Sequence, residues 1–222
     1  MAGTFITFEG GEGAGKSTQI RRLAARLEGL GLEVVTTREP GGAPGAEAIR
    51  EVLLSGKAKA LGPLVEATLF AAARIDHVAN RIRPALDRGA VVLCDRFTDS
   101  TRVYQGDGDG VDATTVAELE RIAVDGVRPD LTLVLDLPVE VALERIATRR
   151  GDEHPDRFEG EADVVHHRRR EAFLSIAKAE PDRCAVIDAS GDEETVANRI
   201  WETVAARLDL PTESHPAEAG HG

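Results

Sequence analysis

The sequence predicts an α/β fold, a doubly wound five-stranded parallel sheet flanked by helices, on three observations. Short apolar runs recur over residues 5–9, 34–37, 90–95, 131–136 and 184–188. Helical periodicity fills the intervals between them, and no two-residue hairpin turn joins any pair. Strands that read as continuous apolar runs are buried on both faces, the signature of a parallel sheet covered by helices on both sides.

The elements follow in order. The first run ends at Gly10 and enters a glycine-rich turn. From Lys16, Ile20, Leu23, Leu27 and Leu30 recur at helical spacing, closed by Gly31. The β-branched second run meets Arg38-Glu39-Pro40-Gly41-Gly42, which cannot continue a strand. Helices are expected over about 45–54 and about 63–83, with Pro84 kinking or ending the second. The last three runs each close on a carboxylate, Asp95, Asp136 and Asp188, and Pro138 opens a helix. Val196, Ile200, Val204 and Leu208 lie four apart on one face of a final helix. Residues 1–210 are expected to form a single domain with a small lid at about 145–160. Residues 211–222, polar and rich in Gly, Pro and Ala, are expected to be a flexible tail.

Composition narrows the function classes. The chain has 222 residues, 42% apolar and 30% charged, enough for one core without covalent staples. No apolar stretch approaches the ~20 residues of a membrane span, and no positive charge precedes an apolar run in residues 1–5, so no secretory signal is expected. Cys94 and Cys184 stand far apart inside apolar runs, which excludes a disulfide framework and points to the reducing cytoplasm. The net charge of −12, from 27 basic and 39 acidic residues, argues against coating of nucleic acid. No membrane partner is expected either.

Gly10-Gly11-Glu12-Gly13-Ala14-Gly15-Lys16-Ser17-Thr18 matches G-x-x-x-x-G-K-[ST] between an expected strand and an expected helix. Successive backbone N–H groups and a helix N-terminus face one point, Lys16 reaches the β/γ-phosphates, and Ser17 can ligate Mg²⁺. From the composition, about 0.004 chance matches are expected across the chain. The loop therefore binds a nucleoside triphosphate. A guanine-reading Asn-Lys-x-Asp is missing, since neither Asn80 nor Asn198 precedes Lys. A small kinase with a mobile lid fits the length, a P-loop kinase fold whose second substrate lies beyond the strands' carboxyl ends.

Four segments carry a resemblance to the bacterial thymidylate kinases: Phe8-Glu9-Gly10 leading into the loop, Arg38-Glu39-Pro40-Gly41-Gly42, Leu69-Phe70-Ala71-Ala72-Ala73-Arg74, and Asp95-Arg96-Phe97 with Ser100-Thr101 and Tyr104-Gln105-Gly106. With the arginine-rich stretch near 145–157 they span about residues 4–180. The resemblance implies transfer of the γ-phosphate of ATP to dTMP, giving dTDP, with Mg²⁺ required and a homodimer as the assembly. Another P-loop nucleoside or nucleotide kinase is the alternative, and a nucleotide-dependent switch or scaffold the rival from another class. The apolar face between Leu64 and Ile82 could supply the dimer interface.

The resemblance also implies roles. Phe70 and Arg74, four apart on one helix face, would stack on the base and donate to a ring carbonyl, with Thr101 at the base edge. Arg96 would hold the acceptor phosphate, a plain ion pair with Asp95 being the competing reading. Tyr104 would lie against the sugar, and Glu9 would face the sugar hydroxyl or the metal. Pro40, Arg50, Leu54, Ser100 and Gln105 complete the acceptor site, and Ser17, Glu9 and Asp95 the metal site. One or more of Arg145, Arg149, Arg150 and Arg157 would close over the transferring phosphoryl group, because Glu12 puts an acid in the loop where some relatives carry arginine. Two departures stand out: Val165 and Phe173 replace a usual Phe and Tyr, and His166-His167-Arg168-Arg169-Arg170 is unusually basic. The histidine pair reads as a solvated face rather than a metal site, and Gln105–Gly110 as a turn rather than a calcium loop.

Overall fold

The computed structural model describes residues 3–106, 110–150, 162–208 and 210, with side chains at all of these except 149 and 150. The expected tail, most of the expected lid including Arg157, and part of the 105–110 turn lie outside the described residues.

Among the described residues, strands β1 (Thr4–Glu9), β2 (Val34–Arg38), β3 (Val91–Asp95), β4 (Leu131–Asp136) and β5 (Cys184–Asp188) form one five-stranded sheet in the order β2-β3-β1-β4-β5. Every pairing is parallel. The register aligns the carboxyl ends: Phe8 and Arg38 both pair with Asp95, and Asp136 pairs with Asp188. Chain reversal of order at β1 opens a crevice beyond those ends, where ligands of such sheets bind.

Alternation along the strands builds a core on each side of the sheet. Ile6, Phe8, Leu93, Leu133 and Leu135 turn toward helices α1 (Lys16–Gly29) and α9 (Glu193–Leu208), meeting Leu23, Leu27, Ile200 and Val204. Phe5, Val92 and Cys94 turn the other way, toward Val78, Ile82 and Phe97. Phe5 and Phe97 meet edge to face at 5.0 Å between centroids.

Helix α2 spans Pro44–Leu54 and helix α3 spans Pro63–His77, with a 3₁₀ turn at Lys57–Leu61 between them. The helical run does not end at Pro84. It widens into a π-turn over Val78–Ile82, where the Arg83 N–H donates five residues back to the Val78 carbonyl, and continues as α4 (Arg83–Asp87) with Pro84 in its first turn. Pro84 falls directly after the π-turn, where the i→i−4 ladder that a proline would interrupt has already given way to i→i−5 bonding. Helix α5 (Thr98–Thr101) follows β3 and runs into a second π-turn at Arg102–Gly106. Helix α6 (Ala113–Val124) is absent from the sequence expectations, although Asp112 caps it by accepting from the Thr115 N–H at 3.0 Å. Helices α7 (Val139–Arg150) and α8 (Asp163–Ala179) complete the described elements.

Candidate active site

The glycine-rich loop joins β1 to α1 at the centre of the sheet. Gly13 has φ +74°, and a Cβ there would stand 2.5 Å from the Ala142 carbonyl oxygen, so no other residue fits. Lys16 crosses the mouth of the loop, its Nζ donating to the carbonyls of Gly10 (3.1 Å) and Gly11 (2.8 Å). Burial, with Arg96 close by, pulls its ammonium down to about 8. Ser17 Oγ donates to Asp95 Oδ2 at 2.7 Å.

Two cavities open here. One, of about 770 Å³, runs from Gly13–Gln19 to Arg145 and Gly191. The other, of about 240 Å³, is lined by Pro40, Leu54, Phe70, Arg74, Thr101 and Tyr104 among others. Glu12, Ser17, Arg50, Asp95 and Arg96 line both, so the cavities meet across a wall of charged and hydroxyl groups. Ser100 and Gln105 belong to the smaller cavity as well.

Arg96 stands at the centre of that wall. Its φ of +68° is the left-handed conformation that a side chain other than glycine rarely adopts. The Arg96 N–H donates to the Phe8 carbonyl at 2.9 Å, which ties the turn after β3 to β1. Its guanidinium donates to Ser100 Oγ (3.0 Å) and Glu12 Oε1 (3.1 Å) and lies 5.0 Å from the centre of the Tyr104 ring. Glu12 also accepts from the Tyr104 hydroxyl. Burial alone would raise the Glu12 carboxyl, but His166, Arg96, Lys16 and Tyr104 outweigh it and hold it well below the usual carboxylate range. The phenol of Tyr104 is pushed up, chiefly by burial.

Arg74 is buried. Its Nε donates to Glu39 Oε2 at 2.7 Å, and one terminal nitrogen donates to the Phe97 carbonyl (3.1 Å) and Thr101 Oγ1 (2.9 Å). The guanidinium sits 5.2 Å from the Phe97 ring centre. A guanidinium pinned on one edge and lining a cavity is preorganised to donate to a planar ligand. Arg50 donates to the Pro40 carbonyl at 2.6 Å, holding α2 against the turn after β2.

Glu9 is placed differently from the rest. Its carboxylate is 0% exposed and lines neither cavity. Oε1 accepts from the N–H groups of Phe97 (2.8 Å) and Ser100 (3.2 Å), and Oε2 from Ser100 Oγ (2.6 Å). Burial, reinforced by Asp99, outweighs these donors and Arg96 and pushes its carboxyl up to about 7. The structure thus holds the Glu9 carboxylate against Phe97 and Ser100, one shell behind the cavity lining. Ser17 and Asp95 remain together as hard oxygen donors of the kind Mg²⁺ takes, alongside waters and phosphate oxygens. Among the described residues no cluster of three or more His, Cys, Asp or Glu side chains could hold a metal unaided.

The lid residues divide. Arg145 donates to the carbonyls of Gly191 (3.1 Å) and Ala189 (3.4 Å) on the outer wall of the larger cavity. The side chains of Arg149 and Arg150 lie outside the described residues, as does Arg157. The histidine pair is not a uniformly solvated face: His167 is exposed, whereas His166 is buried with Nδ1 3.7 Å from Glu12 Oε2. Burial follows because α8 packs Phe173 against Tyr104, which also draws Arg169 to 4.1 Å from the same ring. Sequence reasoning assigns no role to Glu39, Asp99, His166 or Arg169. The strongest missed signal is spacing: His77 continues the Phe70–Arg74 helix face by one turn.

The chain has relatives of known kind. A protein-family model described as Thymidylate kinase matches residues 8–200. A thymidylate kinase of Rhodopseudomonas palustris (strain TIE-1) is 56% identical over 221 residues, covering 99% of this chain and 94% of the relative. One from Bradyrhizobium diazoefficiens is 55% identical over 210 residues, covering 95% and 92%. The crystal structure of thymidylate kinase from Ehrlichia chaffeensis superposes with a TM-score of 0.73 at 33% identity, covering 92% of this chain and all of that one.

Proposed function

The chain belongs to the thymidylate kinase family, and on that premise we propose how its residues divide the work of ATP-dependent phosphorylation of dTMP to dTDP. The observation that carries the proposal is the shared wall: two cavities of different size meet at Glu12, Ser17, Asp95 and Arg96, as direct transfer between two bound ligands requires.

ATP occupies the larger cavity, its phosphates cradled by Gly10–Thr18, and Lys16 exchanges the Gly10 and Gly11 carbonyls for phosphate oxygens. Ser17 and Asp95 would hold Mg²⁺, which neutralises charge on the phosphates. dTMP occupies the smaller cavity. Phe70 stacks on thymine, Arg74 donates to the 4-carbonyl, and the Thr101 hydroxyl, already accepting from Arg74, accepts from the ring N3–H. Tyr104 lies against the sugar and disfavours a 2′-hydroxyl. Arg96 and Arg50, which both line the two cavities, orient the acceptor phosphate toward the γ-phosphorus. One oxygen of dTMP then forms a bond to that phosphorus as the bond to the β-phosphate oxygen breaks, leaving ADP. Catalysis is positioning and charge neutralisation, so no covalent enzyme intermediate is formed. With an acid at Glu12, the cation over the transferring group comes from the lid, from Arg149, Arg150, Arg145 or Arg157.

The assembly is a homodimer, supported by Leu64, Val65 and Ile75, which leave exposed apolar surface along α3, with Leu61 just ahead of it. No described helix is long and apolar enough to cross a membrane, and two buried free cysteines fit a reducing cytoplasm.

Initial rates with ATP and dTMP varied together test direct transfer. Reciprocal plots should intersect, as both ligands must be bound at once; parallel lines, the mark of a phosphorylated enzyme, would contradict it.

A further inference from the structure

Behind the base-facing Arg74 lies a buried chain of polar groups that the phosphoryl transfer itself does not use. Glu39 is bonded at both carboxylate oxygens, Oε2 to Arg74 Nε at 2.7 Å and Oε1 to His77 Nδ1 at 3.0 Å. The opposite ring nitrogen, His77 Nε2, lies 2.7 Å from Thr37 Oγ1 on β2. Arg74 is 2% exposed and His77 0%. An ionised carboxylate only accepts, so Nδ1 carries the proton and donates to Glu39; in the neutral ring Nε2 then accepts from the Thr37 hydroxyl. The assembly is closed from above by backbone. A Cβ on Gly42, whose φ is +88°, would stand 2.4 Å from Thr37 Oγ1 and 2.5 Å from His77 Nε2. The Gly42 N–H is in turn fixed on Glu47 Oε1 at 2.8 Å.

A carboxylate held at one oxygen can still turn about its last torsion, whereas one held at both has a fixed plane. We propose that His77 is a positioning residue for base recognition: it fixes the Glu39 carboxylate, which fixes the plane in which Arg74 meets the acceptor base. The inference rests on the assignment of Arg74 as donor to the 4-carbonyl of thymine. Cytosine presents an amino group at that position and no proton at N3, so a rigid Arg74–Thr101 pair rejects dCMP, and a loose one rejects it less. His77 touches no substrate. Its effect is to turn a flexible cation into a directional one, and the consequence is selectivity.

The test compares kcat/KM for dTMP and dCMP, at saturating ATP, in the parent enzyme and in His77→Leu, His77→Asn and Thr37→Val. Leucine keeps bulk but removes the donor. Asparagine keeps a nitrogen donor on Cγ, where Nδ1 is. Thr37→Val removes only the partner of Nε2. His77→Leu should lower the dTMP/dCMP ratio about tenfold, the scale of one lost hydrogen bond to a charged group, and raise KM for dTMP while leaving KM for ATP within twofold. His77→Asn should restore the ratio to within threefold of the parent, and Thr37→Val should lower it a few-fold. A folded His77→Leu enzyme with the parental ratio would show that His77 only braces α3 against β2 and would overturn the proposal. So would His77→Asn losing the ratio as fully as His77→Leu. If His77→Leu does not fold, Thr37→Val decides, since an unchanged ratio there overturns the proposal equally. A parent enzyme that uses dTMP and dCMP alike would instead remove the assignment of Arg74 itself.

Discussion

Glu9 shows how much a single buried side chain does at the centre of this sheet. Its carboxylate gathers the N–H groups of Phe97 and Ser100 and the Ser100 hydroxyl, and Ser100 in turn receives Arg96. Its folded-state carboxyl, pushed up from 4.5 to about 7 by burial and Asp99, has a defined consequence for stability. Between those two values the native chain binds more protons than the unfolded chain. The stabilisation from Glu9 is therefore complete below about pH 4.5 and is lost as pH rises through about 7, on the order of 3 kcal/mol in all. Urea unfolding at pH 5 and pH 8 should show a smaller fall in stability for Glu9→Gln than for the parent; equal falls would mean that Glu9 does not titrate in this window. At this scale the sequence marks the residues that end apolar strands or follow a glycine-rich loop, and all of its acceptor-site residues other than Glu9 line the smaller cavity. It does not mark Glu39, Asp99 or His166, whose roles depend on partners distant in the chain. Arg183 reaches Asp99 from 84 positions away, at 2.7 Å, and His166 meets Glu12 across the loop mouth.

At the scale of elements, strand ends and helix faces decide what can meet. Helix α3 presents Phe70, Arg74 and His77 toward the turn after β2 because residues four and three apart share a face. The apolar pattern makes the first pair legible, but a histidine at the third position reads as surface until its partner on β2 is known. The five strands are legible nearly to the residue, since each is a short run of apolar and β-branched residues bounded by turn signals. Helix α6 is not, because its apolar face is short and its signal lies in the Asp112 cap. The proposed lid arginines Arg149 and Arg150 stand at the end of α7. Replacing Arg149 and Arg150 together by alanine should lower kcat at least about 10²-fold while leaving KM for both substrates nearly unchanged, the signature of contacts made only in the transition state. Steady-state kinetics would show instead a raised KM with kcat intact if these arginines only steer substrates, and Arg145 or Arg157 would then be the better candidate.

At the scale of the whole molecule, the sheet order β2-β3-β1-β4-β5 brings the loop after β1, the Arg96 turn after β3 and the turn after β2 to one edge. Composition and periodicity predict the parallel sheet but not this order, because strands of similar apolar content are interchangeable until their connections are packed. The exposed stripe on α3 belongs to the same scale. Leu64→Glu, placing a charge on a residue 53% exposed in the single chain, should shift the sedimenting species from twice 23.7 kDa to one chain; an unchanged dimer would place the interface elsewhere, and a monomeric parent would remove it. The most direct test of dTMP as acceptor is the rate of ADP formation with ATP and dTMP, dUMP, dCMP, dGMP or no acceptor. The pocket formed by Phe70, Arg74 and Thr101 predicts dTMP first, dUMP lower by roughly 10–200-fold in kcat/KM for the missing methyl group, and dGMP lower by several orders of magnitude. A preference for dGMP, or equal use of dTMP and dUMP, would contradict it.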